Sequence, residues 1–538
     1  MTARDYRFSP LVIRGVHVDC RAQMLRFDRL LEVLEDLARW GFNTVLLEYE
    51  DRFPYRGALK PVPGADALTV SQVRQLNKRA AGLGLRIVPL VQCLGHLEYV
   101  LRHGRFAALS DRPGSTGRRG TLCPSEDKSF DLYRQMVQQV LDLHGEVRYF
   151  HMGGDEAGLG EDCPRCAERR RQVGVSRILV DHYIRCAEWL RGLGPDPIIW
   201  CDMALRHPEA MDDLRGKVVI MDWDYWSGTE AVDEPPRVWG LPRPVPRDAQ
   251  AWPAAHRELF AKYVFTEGGK ARAFPYAAYL RDRGFQVIVA SAVRSSGDNF
   301  CAPMGKHIEN VIGAARVAAE SHVLGSVITS WALRRAPWPT TEYGLIAGGM
   351  TMKNPQVSRQ EIDAAFAAEH FGAADPDLAR IPLLLGRPVA GLTDSRPRFD
   401  DATGGWLGAD YDARLEAIRQ RQTEYSNELL ALRASVQAAE GLLGRVQPRT
   451  PRQRSRTAVW KWAADVLRHC ADLGPEMLAP PGPHDLAALK ACRADAGKLA
   501  ARTGRLLKGL YTDRTVRDEQ QTRFGAQLAY IDRLIGGK

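Results

Sequence analysis

Leu31–Tyr49, LEVLEDLARWGFNTVLLEY, and Lys78–Gln92, KRAAGLGLRIVPLVQ, decide how the rest of the chain is read. Each opens as an amphipathic segment, stops at a glycine (Gly41, Gly84) and runs directly into a short, nearly continuous apolar stretch. Strands of that kind are buried on both faces, as in a parallel sheet covered by helices. The unit recurs. Candidate strands fall at Val12–Val18, Thr44–Tyr49, Arg86–Gln92, Arg148–Met152, Pro197–Cys201, Val218–Trp223, Gln286–Ser291 and Ser326–Trp331. Eight such units fit closure into an α/β fold of the (β/α)8 TIM barrel type. An open doubly wound sheet is the alternative, but it would carry a glycine-rich phosphate loop after its first strand, where this chain has HVDCRAQ.

Two connections exceed what a barrel needs. Tyr225–Gly284 contains the proline-rich EPPRVWGLPRPVPRD, and Gly104–Pro124 is rich in glycine and arginine; both are expected as surface loops near the active face. After about Pro355 the strand signals vanish. Helical patterns follow at Tyr411–Arg445, Arg456–Leu473, His484–Leu510 and Thr515–Leu534, separated by QPRTPRQ and APPGPHD. The expected division is a catalytic barrel over residues 1–354 and an α-helical C-terminal region over 355–538.

Composition narrows the class. The chain has 538 residues, 45% hydrophobic and 26% charged, enough for one large core and a second unit. Its formal charge of +9 arises from interspersed charges; the densest basic run, Arg165–Arg171, includes Glu168 and reads as a solvated helix face, so no nucleic-acid partner is expected. No stretch has the length of a signal peptide or membrane span, and no membrane association is expected. A cytoplasmic location follows as the expectation. Ten cysteines without a dense framework fit reduced thiols there. Cys163 and Cys166, in DCPRC, have metal-like spacing, but no second CxxC or HxxxH supplies further zinc ligands; Cys123 is the nearest distant candidate.

Barrel enzymes gather reactive side chains where strands end. Here those places hold His17 and Asp19; Glu48 and Glu50; Gln92 and His96; HMGGDE at 151–156; Trp200 and Asp202; Asp222 to Trp226; SSGDN at 295–299; and Trp331. HMGGDE is the strongest signal. Its two glycines let the backbone turn sharply, so that Asp155 and Glu156 project differently, one under a bound ring and the other toward a scissile oxygen. A carboxylic acid beside an apolar wall and a second carboxylate has its pKa raised and becomes a usable general acid. Tryptophans at later strand ends would wall a sugar pocket.

With these residues in view, the sequence resembles a known family. VIRGVHVD on the first strand, FHMGGDEA on the fourth and the later tryptophans look like family 20 glycoside hydrolases, the β-N-acetylhexosaminidases. LLEYEDRFPY and PLVQCLGHLEYVLR look like its intracellular hexosaminidase D-like branch. The resemblance covers roughly residues 10 to 345 and implies exo-hydrolysis of terminal, non-reducing β-linked GalNAc or GlcNAc by a substrate-assisted retaining mechanism. In it the substrate's acetamido oxygen attacks the anomeric carbon to form an oxazolinium ion. Glu156 would be the acid and base, and Asp155 would orient the acetamido N–H. Arg14 matches the family's sugar-hydroxyl-binding arginine, Trp200, Trp223 and Trp331 its pocket tryptophans, and Glu342, more loosely, a carboxylate for distal hydroxyls. Many members place a tyrosine after the seventh strand to hold the acetamido oxygen; VIVASAVRSSGDN has none, and Tyr225 is the substitute.

Plainer readings stand beside these. His151 is either a core histidine or one that orients the carboxylates, and His96 either a loop residue or part of the pocket. Arg14, within an apolar strand, needs a buried partner. Trp226 and Trp338 read as packing, Asn310 as structural, and Asp298 and Asn299 as a turn. Neither cofactor nor metal is expected at the site. The substrate would be a small molecule or an oligosaccharide ending in N-acetylhexosamine, and a homodimer is left open. Two other functions compete: a metal-dependent barrel hydrolase built on His17, Asp19, His96, His151 and Asp155, and a non-catalytic sugar-binding barrel.

Overall fold

The computed structural model describes residues 10–112, 119–159, 163–295, 300–387, 398–400, 405–408, 410–411, 418, 420–478 and 485–536. Eight parallel strands close in sequence order, β1 (Ile13–Asp19), β2 (Thr44–Glu48), β3 (Arg86–Leu90), β4 (Tyr149–His151), β5 (Asp196–Trp200), β6 (Val219–Trp223), β7 (Gln286–Arg294) and β8 (Gly325–Ser330). Closure is direct: Ile13 pairs with Gly325 and Val16 with Ile328. Within the expected strands the backbone amides find partners on both sides, which is why even the short β4 is fully buried. The open-sheet alternative is thereby set aside. β7 runs three residues past its expected end, because a register shift between Ala292 and Arg294 lets it keep pairing with β8 as far as Ser330.

Helices cover the barrel between strands: α1 (Phe27–Arg39), α2 (Val70–Gly82), α3 (Asp127–His144), α4 (Pro164–Val173), α5 (Val175–Gly192), α6 (Pro275–Asp282) and α7 (Met304–Glu320). α2 shows how the sequence starts such an element. Thr69 accepts from the Gln72 N–H while the Gln72 side chain accepts from the Thr69 N–H, and Val73, Leu76 and Ala80 then face the core. After β8 come α8 (Glu342–Lys353) and α9 (Arg359–Phe371), followed by the long α10 (Gln422–Leu443), α11 (Pro451–Leu478), α12 (Leu486–Leu507) and α13 (Ala526–Ile535). One feature departs from an all-helical C-terminal region: Arg398–Asp400 and Gly405–Leu407 form a small antiparallel pair. No helix among the described residues is long and apolar enough to cross a membrane. The arginines of α4 are engaged with acids, Arg169 with Asp181 at 3.1 Å and Arg171 with Glu168.

The C-terminal helices dock through buried charge. Arg456 on α11 reaches Asp36 of α1 at 2.8 Å, Glu342 of α8 at 2.7 Å and Glu369 of α9 at 2.9 Å. A second set of contacts touches the segment after β1. The Thr512 N–H donates to the Met24 carbonyl at 3.0 Å, the Arg26 N–H donates to the Leu510 carbonyl at 2.9 Å, and Gln23 donates to Glu519 at 3.0 Å. Far helices thereby fix the path of the first active-face loop.

Candidate functional site

At the C-terminal end of the barrel lies a pocket of about 460 Å³. The HMGGDE turn forms one side of it. Gly153 and Gly154 have φ of +65° and +89°, and a Cβ on Gly153 would sit 1.8 Å from the Gln92 side-chain oxygen, so the turn admits only glycine there. The turn is held on all sides. The Gly153 N–H donates to His151 Nδ1 at 2.9 Å, the Gly154 N–H to Gln92 Oε1 at 3.1 Å, and the Tyr183 hydroxyl to the Gly154 carbonyl at 2.7 Å. Glu156 follows at φ +48°, a left-handed conformation unusual for glutamate, with its N–H given to Asp202 Oδ2 at 2.9 Å. Glu50 and His96, at the ends of neighbouring strands, share that conformation. Local backbone strain therefore gathers on the face that carries the pocket.

The two carboxylates differ in environment. Asp155 is buried, and its Oδ2 lies 3.2 Å from His96 Nε2. Burial works to raise the Asp155 carboxyl, but the charge and hydrogen bond of His96 outweigh it and hold it below its usual range. Conversely, burial opposes charge on His96, and Asp155 overcomes this to lift the ring to about 10. At neutral pH they form an ion pair. Asp155 Oδ1 is buried without a hydrogen-bond partner among the described residues. The Glu156 side chain, 58% exposed, stands at the open side of the pocket instead of being sunk against an apolar wall.

Trp200, Trp223, Tyr225 and Trp331 complete the expected lining. Trp200 packs on His151 with centroids 4.5 Å apart and on Trp331 at 6.0 Å; Trp223 lies 5.1 Å from Tyr225 and donates its indole N–H to Asp202 Oδ1 at 3.3 Å. His151 is under the pocket, not on its surface: fully buried, it accepts from Gly153 and supports Trp200, and burial depresses the ring to about 3. Glu48 lines the pocket floor, 3.0 Å from His17 Nε2 and 3.4 Å from the Gln92 amide. Asn310 bridges the Ala292 N–H and the Asp224 carbonyl. Trp338 is buried away from the pocket, whereas Trp226 is at its rim. Asp298 and Asn299 lie outside the described residues; Ser295, just before them, lines the pocket.

Two expected residues are elsewhere. Arg14 is the second residue of β1 and so sits at the N-terminal mouth of the barrel, donating to the Gly41 carbonyl at 2.9 Å and the Leu11 carbonyl at 3.2 Å. Glu342 is buried between barrel and C-terminal helices, 2.8 Å from His370 and 2.7 Å from Arg456, where burial raises its carboxyl to about 7. What the pocket holds in their place is Arg21, just past β1, 3.2 Å from Glu50, together with Arg237, Arg243 and Lys306. Arg237 and Arg243 come from the proline-rich loop, where Arg237 stacks on Trp226 at 3.8 Å.

Asp202, two residues past the end of β5, is a supporting residue whose role the sequence does not reveal. Burial and the neighbouring Asp155 carboxylate lift it to about 7. Its proton is thus held in the folded chain at pH values where the unfolded chain, near the usual value of about 4, has released it. Its contribution to stability is fully present below about 4 and is lost as pH rises through about 7. Asp202→Asn keeps an acceptor for the Glu156 N–H without the titration. Relative to this variant, the parent is expected to lose on the order of 1 kcal/mol of unfolding free energy per pH unit between about 4 and 7. Urea denaturation of both proteins across that range measures it, and parallel profiles refute it.

Residues 13–235 match the glycosyl hydrolase family 20 catalytic domain. Hexosaminidase D of Homo sapiens is 32% identical over 225 residues, 40% of this chain and 46% of the human protein. Hexosaminidase D of Bos taurus is 31% identical over 223 residues, 40% of this chain and 63% of that protein. The matched stretch therefore spans less than two thirds of either relative. Among solved structures, a chitobiase of Flavobacterium johnsoniae aligns with a TM-score of 0.48 at 15% identity, covering 98% of this chain and 78% of that one. The barrel itself rests on its own strand pairing. The segment from β1 through β6, with both carboxylates of HMGGDE, is the part of the chain that is similar to the glycosyl hydrolase family 20 catalytic domain.

Proposed function

We propose that this pocket removes terminal, non-reducing β-linked N-acetylhexosamine, GalNAc or GlcNAc, using the substrate's own acetamido oxygen as nucleophile. One observation carries the reading: a buried, ionised Asp155 whose Oδ1 has no hydrogen-bond partner among the described residues, beside a Glu156 open to the pocket. A buried charged acceptor left unmade is costly, and an amide N–H from a bound ligand would satisfy it. That bond would aim the acetamido oxygen at the anomeric carbon. Attack forms the oxazolinium as the glycosidic C–O bond breaks and Glu156 gives its proton to the departing oxygen. Glu156 then takes a proton from water, whose oxygen reopens the ring with retention. Trp200, Trp223 and Trp331 supply ring-stacking walls, Tyr225 a hydroxyl for the acetamido oxygen, and Arg21 the cationic donor that the family resemblance places at Arg14.

The test compares p-nitrophenyl N-acetyl-β-galactosaminide and N-acetyl-β-glucosaminide with the corresponding β-galactoside and β-glucoside. Turnover of the acetamido sugars should exceed that of the others by at least about a hundredfold, the worth of a positioned internal nucleophile. Equal turnover with and without the acetamido group would refute the mechanism. Binding of the acetamido sugars without turnover would favour the sugar-binding barrel.

A further inference from the structure

Cysteines from two active-face connections meet at a place the pocket does not use. Cys123 closes the β3–α3 connection, just after the isolated bridge between Ser110 and Leu122, and its N–H donates to the Leu109 carbonyl at 2.8 Å. Cys163 caps the N-terminus of α4, Pro164 fills the first helical position, and Cys166 lies within the first turn. Cys123 Sγ is 3.5 Å from Cys163 Sγ and 3.4 Å from Cys166 Sγ, and the three sulfurs all lie within 4.8 Å of one another. All three are fully buried in a cluster of their own, apart from the main core.

Packing alone does not call for this arrangement. Apolar side chains would fill such a site without turning three sulfurs toward one point. A disulfide would need a separation of about 2.05 Å. On a tetrahedral zinc ion with bonds of about 2.3 Å, thiolate sulfurs sit about 3.8 Å apart, within a few tenths of an ångström of these distances. The first-turn N–H groups of α4 favour thiolates at this end of the helix. The two segments are also stapled beside the cluster by Arg165, which donates to Glu126 at 2.7 Å and to the Ala108 carbonyl at 3.2 Å. A second group, Cys93, His182 and Cys186, differs: His182 Nε2 is 2.9 Å from the Cys93 carbonyl, which takes up the ring nitrogen a metal would need.

We propose that Cys123, Cys163 and Cys166 bind one zinc ion that ties the loop after β3 to the loop leading from Glu156 into α4. Binding forms three Zn–S bonds and releases the thiol protons to solvent, with no change of oxidation state; water takes the fourth position. Three thiolates on a divalent ion leave one net negative charge, which Arg165 faces.

The protein, purified without chelator, should contain about one zinc per chain by mass spectrometry. Replacing the ion with cobalt(II) should give a thiolate charge-transfer absorption. Cys166→Ser should reduce zinc to background and abolish the cobalt band, whereas Cys93→Ser keeps both. Chelation should lower the thermal midpoint by a few degrees. A zinc-free protein that gains neither zinc nor the cobalt band on addition of the metals would overturn the proposal, as would a disulfide among the three. The cobalt spectrum of the parent chain decides the matter even where Cys166→Ser does not fold, and none of these readouts depends on glycosidase activity.

Discussion

Glu156→Gln is expected to lower hydrolysis of aryl N-acetyl-β-hexosaminides with poor leaving groups by about a hundredfold or more, because proton transfer of this kind is worth about 10² to 10⁴. The amide is nearly the same size, and the residue's place is set by its backbone: a left-handed φ and an N–H held by Asp202. Lost activity would therefore report lost chemistry more than lost shape. The pattern across substrates is the sharper measurement. As the leaving phenol becomes more acidic it needs less protonation, so the defect in bond cleavage should shrink. A variant that matches the parent on poor leaving groups would remove Glu156 from the acid role.

Asp155→Asn should cost a comparable factor, on the order of a hundredfold, through misalignment of the acetamido oxygen. An asparagine can still meet an N–H through its carbonyl oxygen, but it loses the charge that His96, 3.2 Å away, is paired with. Without that partner the imidazole has little reason to stay charged, and the local geometry relaxes. A thiazoline mimic of the oxazolinium ion provides the check. It should bind the parent tightly and the variant much more weakly, while a simple glycoside competitor discriminates less. Equal sensitivity of both proteins to the thiazoline would mean that Asp155 does not align the amide.

The barrel was legible because its signal is repetitive and local. Each strand is an apolar run after an amphipathic segment, and the observed β2 and β6 differ from the expected ones by a single terminal residue. The HMGGDE turn was legible for a related reason: a sharp bend needs glycines, and those glycines advertise themselves in the sequence. Arg14 shows where this kind of reading stops. Position along a strand decides which mouth of the barrel a side chain serves, and Arg14 is the second residue of β1 whereas Arg21 follows its end. Arg237, Arg243 and Lys306 were harder still. Arg237 and Arg243 reach the pocket from a long connection and Lys306 from the first turn of α7, and their placement depends on packing between distant elements, which no local pattern records. Glu342 is the opposite case, a carboxylate at the right point in the chain whose partners, Arg456 and His370, lie far away in sequence.

Arg456 stands at the junction of α1, α8, α9 and α11. It pairs at once with Asp36, Glu342 and Glu369, acids that belong to the wall of the barrel and to the helices just beyond it; Arg39 and Arg452 also reach Asp36, and Arg39 reaches Glu369. If the chain were cut before α11, Arg39 would still answer Asp36 and Glu369, but Glu342 would be left with His370 alone and would have to hold a proton or let water in. The loop bearing Arg21 would at the same time lose its tether at Met24. The pocket and the C-terminal helices are in that sense mechanically joined: what erodes the tail loosens the loop that carries Arg21.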